Sequence, residues 1–367
     1  MARKHATTAL VSVLACAALS AAENSSMFPN QEWLIAEPSS QGIDPRLLGQ
    51  AVERFGAICG KDGSHGMVVI RNGRMVWHGD TIDALVKVHS CTKSILSTCF
   101  GLLCDDGKCT PATLAATIVP QLSERYPALT LGQLATLTDG FIKEKDSDVL
   151  HPAQPLFPPG TALHYDFQPD LLALILTRLA GEPLRTLFMR RIGTPIGIKD
   201  NEFQWGLQTL PQEPIPVHGG TGGLVTGAAI TARAMARFGW LFCQHGAWNG
   251  KQLISRDYVD VATSVRLPAS MPLHDPSAWY RILPGRYGYN WWVNGTDAAG
   301  QLAWPSIPAG SFAAQGNFNN ICIIIPVWNM VIVRLGQDPA TNALQLDEAL
   351  AMIREALRIG GGIPSHK

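Results

Sequence analysis

Ser90-Cys91-Thr92-Lys93 is the tetrapeptide of this chain best suited to chemistry. A Ser and a Lys three residues apart share one face of a helix. If Ser90 stands in the first turn, its hydroxyl lies in the positive end of the helix dipole. An adjacent amine can then take the hydroxyl proton or stabilise the alkoxide. Either role needs Lys93 packed away from bulk water, since burial lowers a Lys pKa. The apolar run that follows Lys93 is consistent with such packing. S-x-x-K alone is weak, because a chain of this length holds on the order of one by chance. This one falls where a strand gives way to a helix. A second group comes from Pro158-Pro159-Gly160-Thr161-Ala162-Leu163-His164-Tyr165, a rigid turn ending on a phenol. Brought close to Ser90 and Lys93, Tyr165 could act as a phenolate base or relay a proton to a leaving group. Left alone, it would simply pack under its loop.

The elements that must position these groups are legible in outline. Met67 to Ile70 and Met75 to Trp77 flank the turn sequence Arg71-Asn72-Gly73-Arg74, which predicts a β-hairpin. A helix follows from about Ser90, with Ile95, Leu96, Cys99, Phe100, Leu102 and Leu103 apolar and Gly107 as its stop. Segments from about Pro111 to Phe203 read as helical with Pro- and Gly-rich links, most clearly Asp170 to Ala180. A glycine turn, Gly219 to Gly223, precedes a helix from about Thr231 to Cys243. Strands are expected at Tyr287–Val293, Ile321–Ile325 and Met330–Leu335. The last two lack polar alternation, so both faces should be covered. A helix from about Asn342 to Ile359 closes the chain. Strands at both ends with a helical middle predict one antiparallel sheet built from the two termini, an α/β (α+β) fold. The expected division is residues 23–105 and 225–367 for the sheet domain, with 106–224 as a mainly helical insertion.

These motifs, in this order, resemble the serine β-lactamase and penicillin-binding-protein superfamily, in its class C-like esterase and amide-hydrolase branch. The similarity spans roughly Gly66 to Gly336. S-C-T-K matches the nucleophile motif, and P-G-T-A-L-H-Y matches the loop bearing the family's Tyr. Gly219 to Leu224, Ala234 to Gly239, Trp248-Asn249-Gly250-Lys251 and Gly316-Asn317-Phe318-Asn319-Asn320 match later segments. The resemblance implies a β-lactamase/transpeptidase-like fold and an acyl-enzyme on Ser90, assisted by Lys93 and Tyr165. It also implies an oxyanion held by the Ser90 amide and a second amide near Ala314. Asn317, on the active-site strand, is a substrate-binding candidate. Two departures stand out. The family's Y-x-N reads Tyr165-Asp166-Phe167 here, so Asp166 replaces or displaces a substrate-positioning Asn. The K-T-G motif is absent; its equivalent is placed near Ser311-Phe312-Ala313, with no Lys nearby. Losing that cation lowers the expectation of an anionic β-lactam or peptide substrate and raises that of a neutral ester or amide. A β-lactamase or peptidoglycan DD-peptidase is the alternative enzyme, and a non-catalytic binding protein of the same fold is the alternative without chemistry.

The 367 residues carry 29 basic and 29 acidic side chains. With no basic run after the N-terminus, nothing points to a nucleic-acid partner. Arg3, Lys4 and His5 precede an uncharged apolar stretch from Ala6 to about Leu19. Ser20-Ala21-Ala22 then offers small residues for cleavage before Glu23. This is a secretory-signal pattern and predicts a periplasmic or secreted protein. Val13-Leu14-Ala15-Cys16 is a poorer alternative, a lipoprotein site that would anchor the chain through lipid on Cys16. No segment reads as a membrane span. Of the eight cysteines, Cys104 and Cys109 flank a turn and could be joined in an oxidising compartment. No metal motif and no cofactor motif is present, and the oligomeric state is left open.

Overall fold

The computed structural model describes residues 27–141, 153–165, 169–208, 210, 212–275, 284–338 and 343–363. The expected signal segment, with Cys16, and the candidate Asp166 lie outside the described residues.

The hairpin forms as its turn chemistry dictates. Strands Met67–Arg71 and Arg74–His78 are joined through Asn72 and Gly73, both at positive φ (52° and 76°). That backbone suits a two-residue turn whose twist matches the strands. The hairpin does not stand alone. Met67–Arg71 also pairs, antiparallel, with the C-terminal strand Met330–Arg334. Beyond it in the same sheet follow Asn320–Ile325, Phe312–Gly316 and Trp292–Val293. One six-stranded sheet is thus assembled from both ends of the chain, as the sequence predicts.

Alternation along the strands divides the interior in two. Val69, Ile321, Ile323 and Ile332 point to one side, where helices Pro45–Cys59 and Ala343–Ile359 pack against each other. Val68, Ile70, Cys322 and Ile324 point to the other side, onto helices Ala232–Cys243 and Cys91–Asp105. With both faces covered, the strands need no polar alternation. Beside the Cys91–Asp105 helix lie Pro169–Ala180 and Leu184–Phe188, and Leu131–Thr136 packs on the former; these make up the helical middle of the chain.

Two features differ from expectation. The segment 287–293 is not one strand. Asn290 turns the chain at φ 58°, Tyr287 bridges back to Trp292, and only Trp292–Val293 joins the sheet. A small second sheet, Val86–Lys87, Ala228–Ile230 and Phe203–Trp205, went unread because its strands are only two or three residues long.

The Cys91–Asp105 helix is buried from Cys91 to Leu103, polar residues included. Its hydroxyls are therefore bonded. Ser94 donates to the Asn290 carbonyl (2.8 Å) and Ser97 to the Tyr289 carbonyl (2.6 Å). Thr92 accepts from the Ala228 amide (2.9 Å). These bonds tie the helix to the chain on both sides and fix its rotation. The buried Cys91 and Cys99 behave as small apolar residues, as expected. Cys104 and Cys109 are thiols whose sulfurs stand 3.9 Å apart.

Arg334, fully buried at the end of its strand, pairs with Asp338 and donates to the Gly63 and Phe318 carbonyls (both 2.9 Å). It pins the 317–319 turn to the sheet. Arg334→Met should lower unfolding free energy by about 3–5 kcal/mol, because Asp338 is left buried and unpaired. Urea denaturation measures this; a loss within experimental error would remove Arg334 as an anchor.

Candidate active site

Ser90 begins the buried helix as its N-cap residue, but its hydroxyl does not cap. The preceding His89 sits in the left-handed region at φ 48° and swings the chain into the helix. The Ser90 side chain, free of the first turn, is turned toward Lys93 and Thr221. Lys93 Nζ donates to Ser90 Oγ at 3.0 Å and to the Thr221 carbonyl at 2.9 Å. Lys93 is only 3% exposed. The amine therefore stands one turn below the hydroxyl, packed away from water as the sequence requires.

Tyr165 completes the group. Its ring faces Lys93 Nζ, 4.8 Å from nitrogen to ring centre. Its hydroxyl hydrogen-bonds Ser90, and the indole N–H of Trp292 donates to it. Burial pushes the phenol up to about 12, against the opposing pull of those two bonds. Tyr165 is thus a neutral phenol at physiological pH, suited to relaying a proton rather than acting as a standing phenolate.

The third wall is the glycine turn 219–223. Asp170, at the start of helix Pro169–Ala180, accepts from the Gly220 amide (2.8 Å), the Thr221 amide (3.1 Å) and the Thr221 hydroxyl (3.3 Å). Its burial raises its pKa, while those bonds and the Lys93 charge act the other way. At Gly222 (φ 85°) a Cβ would lie 2.0 Å from the His89 carbonyl. The turn can press on the residue before Ser90 only as glycine.

The fourth wall is the edge of the sheet. A Cβ on Gly316 would lie 2.1 Å from the Val88 carbonyl and 3.0 Å from the Ser90 amide nitrogen. The backbone of strand Phe312–Gly316 therefore abuts the amide of Ser90. Ala314, named from sequence as a donor here, is fully buried, pairs with Cys322 and lines neither cavity. Ser311, Phe312 and Ala313, the expected K-T-G equivalent, are buried too. The residues that reach the site are Gln315 and Gly316 of the strand and Asn317 just beyond it. Alternation sends the Ala314 side chain into the core and leaves Gln315 and Gly316 half-exposed.

Two cavities meet at Ser90, Tyr165 and Asn317. One, of about 240 Å³, adds Trp292, Gln315, Asn319, Asn320 and Ile321 and has no charged side chain among its described lining. The other, about 570 Å³, holds Lys93, Thr221, Leu224 and Phe318. Trp292 lines a cavity, whereas Trp205, Trp291 and Trp304 are buried in the core. His89 packs on Phe318 at 4.9 Å and His164 on His274 at 5.4 Å. Desolvation lowers both imidazole pKa values. Among the described residues no cluster fits a metal ion.

The sequence reasoning passed over Thr221 and Asp170. The first was hidden inside a glycine turn, and the second read only as the start of a helix.

The family model for β-lactamase matches residues 49–356, most of the chain. The chain belongs to the β-lactamase family. The solved structures it resembles share the fold at low identity. A penicillin-binding protein homologue from Caulobacter crescentus superposes with TM-score 0.62 at 16% identity, over 88% of this chain and 99% of that one. A family VIII carboxylesterase gives 0.61 at 16%, over 87% and 98%. EstCE1, a hydrolase with promiscuous acyltransferase activity, gives 0.61 at 14%, over 85% and 98%. An uncharacterized protein of Alkalihalophilus pseudofirmus is 25% identical over 134 residues, 36% of each chain, so the match spans about a third of that relative. As the motifs implied, this β-lactamase-family chain pairs an antiparallel sheet with flanking helices.

The position of Tyr165 makes a titration prediction. Its folded pKa is raised above the ordinary 10 to about 12. The unfolded chain therefore loses this proton first, and the contribution to stability declines as pH rises between those values. In an alkaline titration followed by tyrosinate absorbance, Tyr165→Phe should remove a phenol from the late-titrating class. Loss of a phenol titrating near 10 instead would contradict this environment.

Proposed function

We propose that this protein is a serine hydrolase that cleaves a small, neutral ester or amide through an acyl-enzyme on Ser90. The observation that carries the reading is the 3.0 Å contact between Lys93 Nζ and an uncapped Ser90 Oγ, beneath the Tyr165 phenol. Membership of the β-lactamase family supports it.

In this mechanism Ser90 Oγ attacks the substrate carbonyl and Lys93, as the neutral amine, takes its proton. The oxyanion lies between the Ser90 amide and a backbone amide of the 315–317 stretch, which abuts it. As the carbonyl–O or carbonyl–N bond breaks, Tyr165 gives its proton to the leaving atom and regains one from Lys93. Water then attacks the acyl-enzyme along the reverse path. Asn317 and Gln315 border the cavity beside Ser90 and supply neutral hydrogen-bonding groups to the substrate. The uncharged lining of that cavity favours a neutral substrate over an anionic β-lactam or peptide. The N-terminal pattern supports export to the periplasm or beyond, with cleavage after Ala22.

The decisive test is labelling by a fluorophosphonate together with hydrolysis of p-nitrophenyl acetate. Both should be present in the wild type and lost in Ser90→Ala with the melting temperature preserved; ester hydrolysis that survives in Ser90→Ala would refute the assignment. Gly316→Ala should lower kcat/KM by about a hundredfold, through displacement of the strand from the nucleophile's amide. An unchanged value would remove that strand from the site. A fluorescent penicillin should fail to label the wild type; stable labelling would favour the peptidase or lactamase reading. In cell fractionation the mature N-terminus should be Glu23, and an uncleaved cytosolic chain would defeat export.

A further inference from the structure

Lys93 can serve Ser90 only if its long, flexible side chain is held at one height in the site. Part of that hold is the Thr221 carbonyl, which accepts from Nζ at 2.9 Å and lies 3.5 Å from Ser90 Oγ. A backbone carbonyl in a glycine-rich turn has no fixed direction of its own, because glycine permits many. Gly219, Gly220, Gly222 and Gly223 surround Thr221. Something outside the turn must therefore choose its conformation.

We propose that Asp170 makes that choice and is a positioning residue for Lys93. Its Oδ1 takes three bonds from two successive residues of the turn: the Gly220 amide, the Thr221 amide and the Thr221 hydroxyl. Fixing the peptide planes on the N-terminal side of Thr221 orients the carbonyl on its other side. The fit is close on both flanks. A Cβ at Gly220 would lie 2.0 Å from the Pro169 carbonyl, next to Asp170 in the chain, and one at Gly222 would meet His89. The turn is thus wedged between the start of helix Pro169–Ala180 and the residue before the nucleophile. Asp170 sits five residues after Tyr165, so a single segment delivers the phenol and fixes the amine. The inference rests on the serine-hydrolase reading, since positioning matters only where Lys93 moves a proton.

Three variants test it: Asp170→Ala, Asp170→Leu and Asp170→Asn, each checked by thermal denaturation. Asn keeps a side-chain oxygen that can accept all three bonds; Ala and Leu do not. With p-nitrophenyl acetate, the folded acceptor-free variants should lose about a hundredfold in kcat while KM stays within about threefold. Their fluorophosphonate labelling should slow in parallel. Asp170→Asn should return to within about threefold of wild type, which a role in folding alone would not separate from Ala. Wild-type kcat and labelling rates in Asp170→Ala or Asp170→Leu would overturn the proposal. So would an Asn variant as slow as the acceptor-free ones, or folding of none but the wild type. A wild type that is itself neither labelled nor active would instead defeat the hydrolase reading.

Discussion

The site depends on a buried amine that must be kept at a fixed distance from a hydroxyl. Burying an ammonium or its neutral form is costly unless hydrogen bonds replace the lost water. Here they come from Ser90 and from the carbonyl of Thr221. Everything around Lys93 follows from holding those two acceptors in place. The helix is locked by its own hydroxyls, the glycine turn by Asp170, and the sheet edge by Gly316 against the Ser90 amide. The aromatic face of Tyr165 adds an attraction for the cationic form that Lys93 takes on when it holds the Ser90 proton.

That arrangement explains why polar residues crowd a helix with no exposed face. In most buried helices Ser94, Ser97 and Thr98 would be liabilities. Here each hydroxyl finds a carbonyl, and two of them reach Tyr289 and Asn290, next to the strand that bears Trp292. The same bonds hold the chain just before Trp292, whose ring lies 6.1 Å from that of Tyr165. Stability and geometry are thus served by one set of contacts.

Much of this was legible in the residues. The three-residue spacing of Ser90 and Lys93 was enough to put both on one helical face. The Asn72-Gly73 turn and the apolar strands near the C-terminus gave the sheet and its pairing of chain ends. Family resemblance was needed to bring in Tyr165, because no local pattern says where a loop's phenol will land. What escaped reading has a common physical character. Ala314 against Gln315 is a matter of strand register, which an apolar run without charges leaves unmarked. Asp170 and Thr221 act through backbone amides and a carbonyl, and those groups are the same at every position in a sequence. The turn at Asn290 looked like continuous strand because its neighbours are aromatic, and aromatic residues favour strands.

The placement of strand Met67–Arg71 between its own hairpin partner and the C-terminal strand has a consequence for how the molecule comes into being. Until strands Phe312–Gly316 and Met330–Arg334 join it, the hairpin has one edge unpaired and Ser90 lacks the wall that later adjoins it. No amount of local structure can finish the job early, since the missing partner lies far along the chain. Contacts so remote in sequence form slowly. The site around Ser90 is therefore complete only once strands drawn from both halves of the sequence have paired.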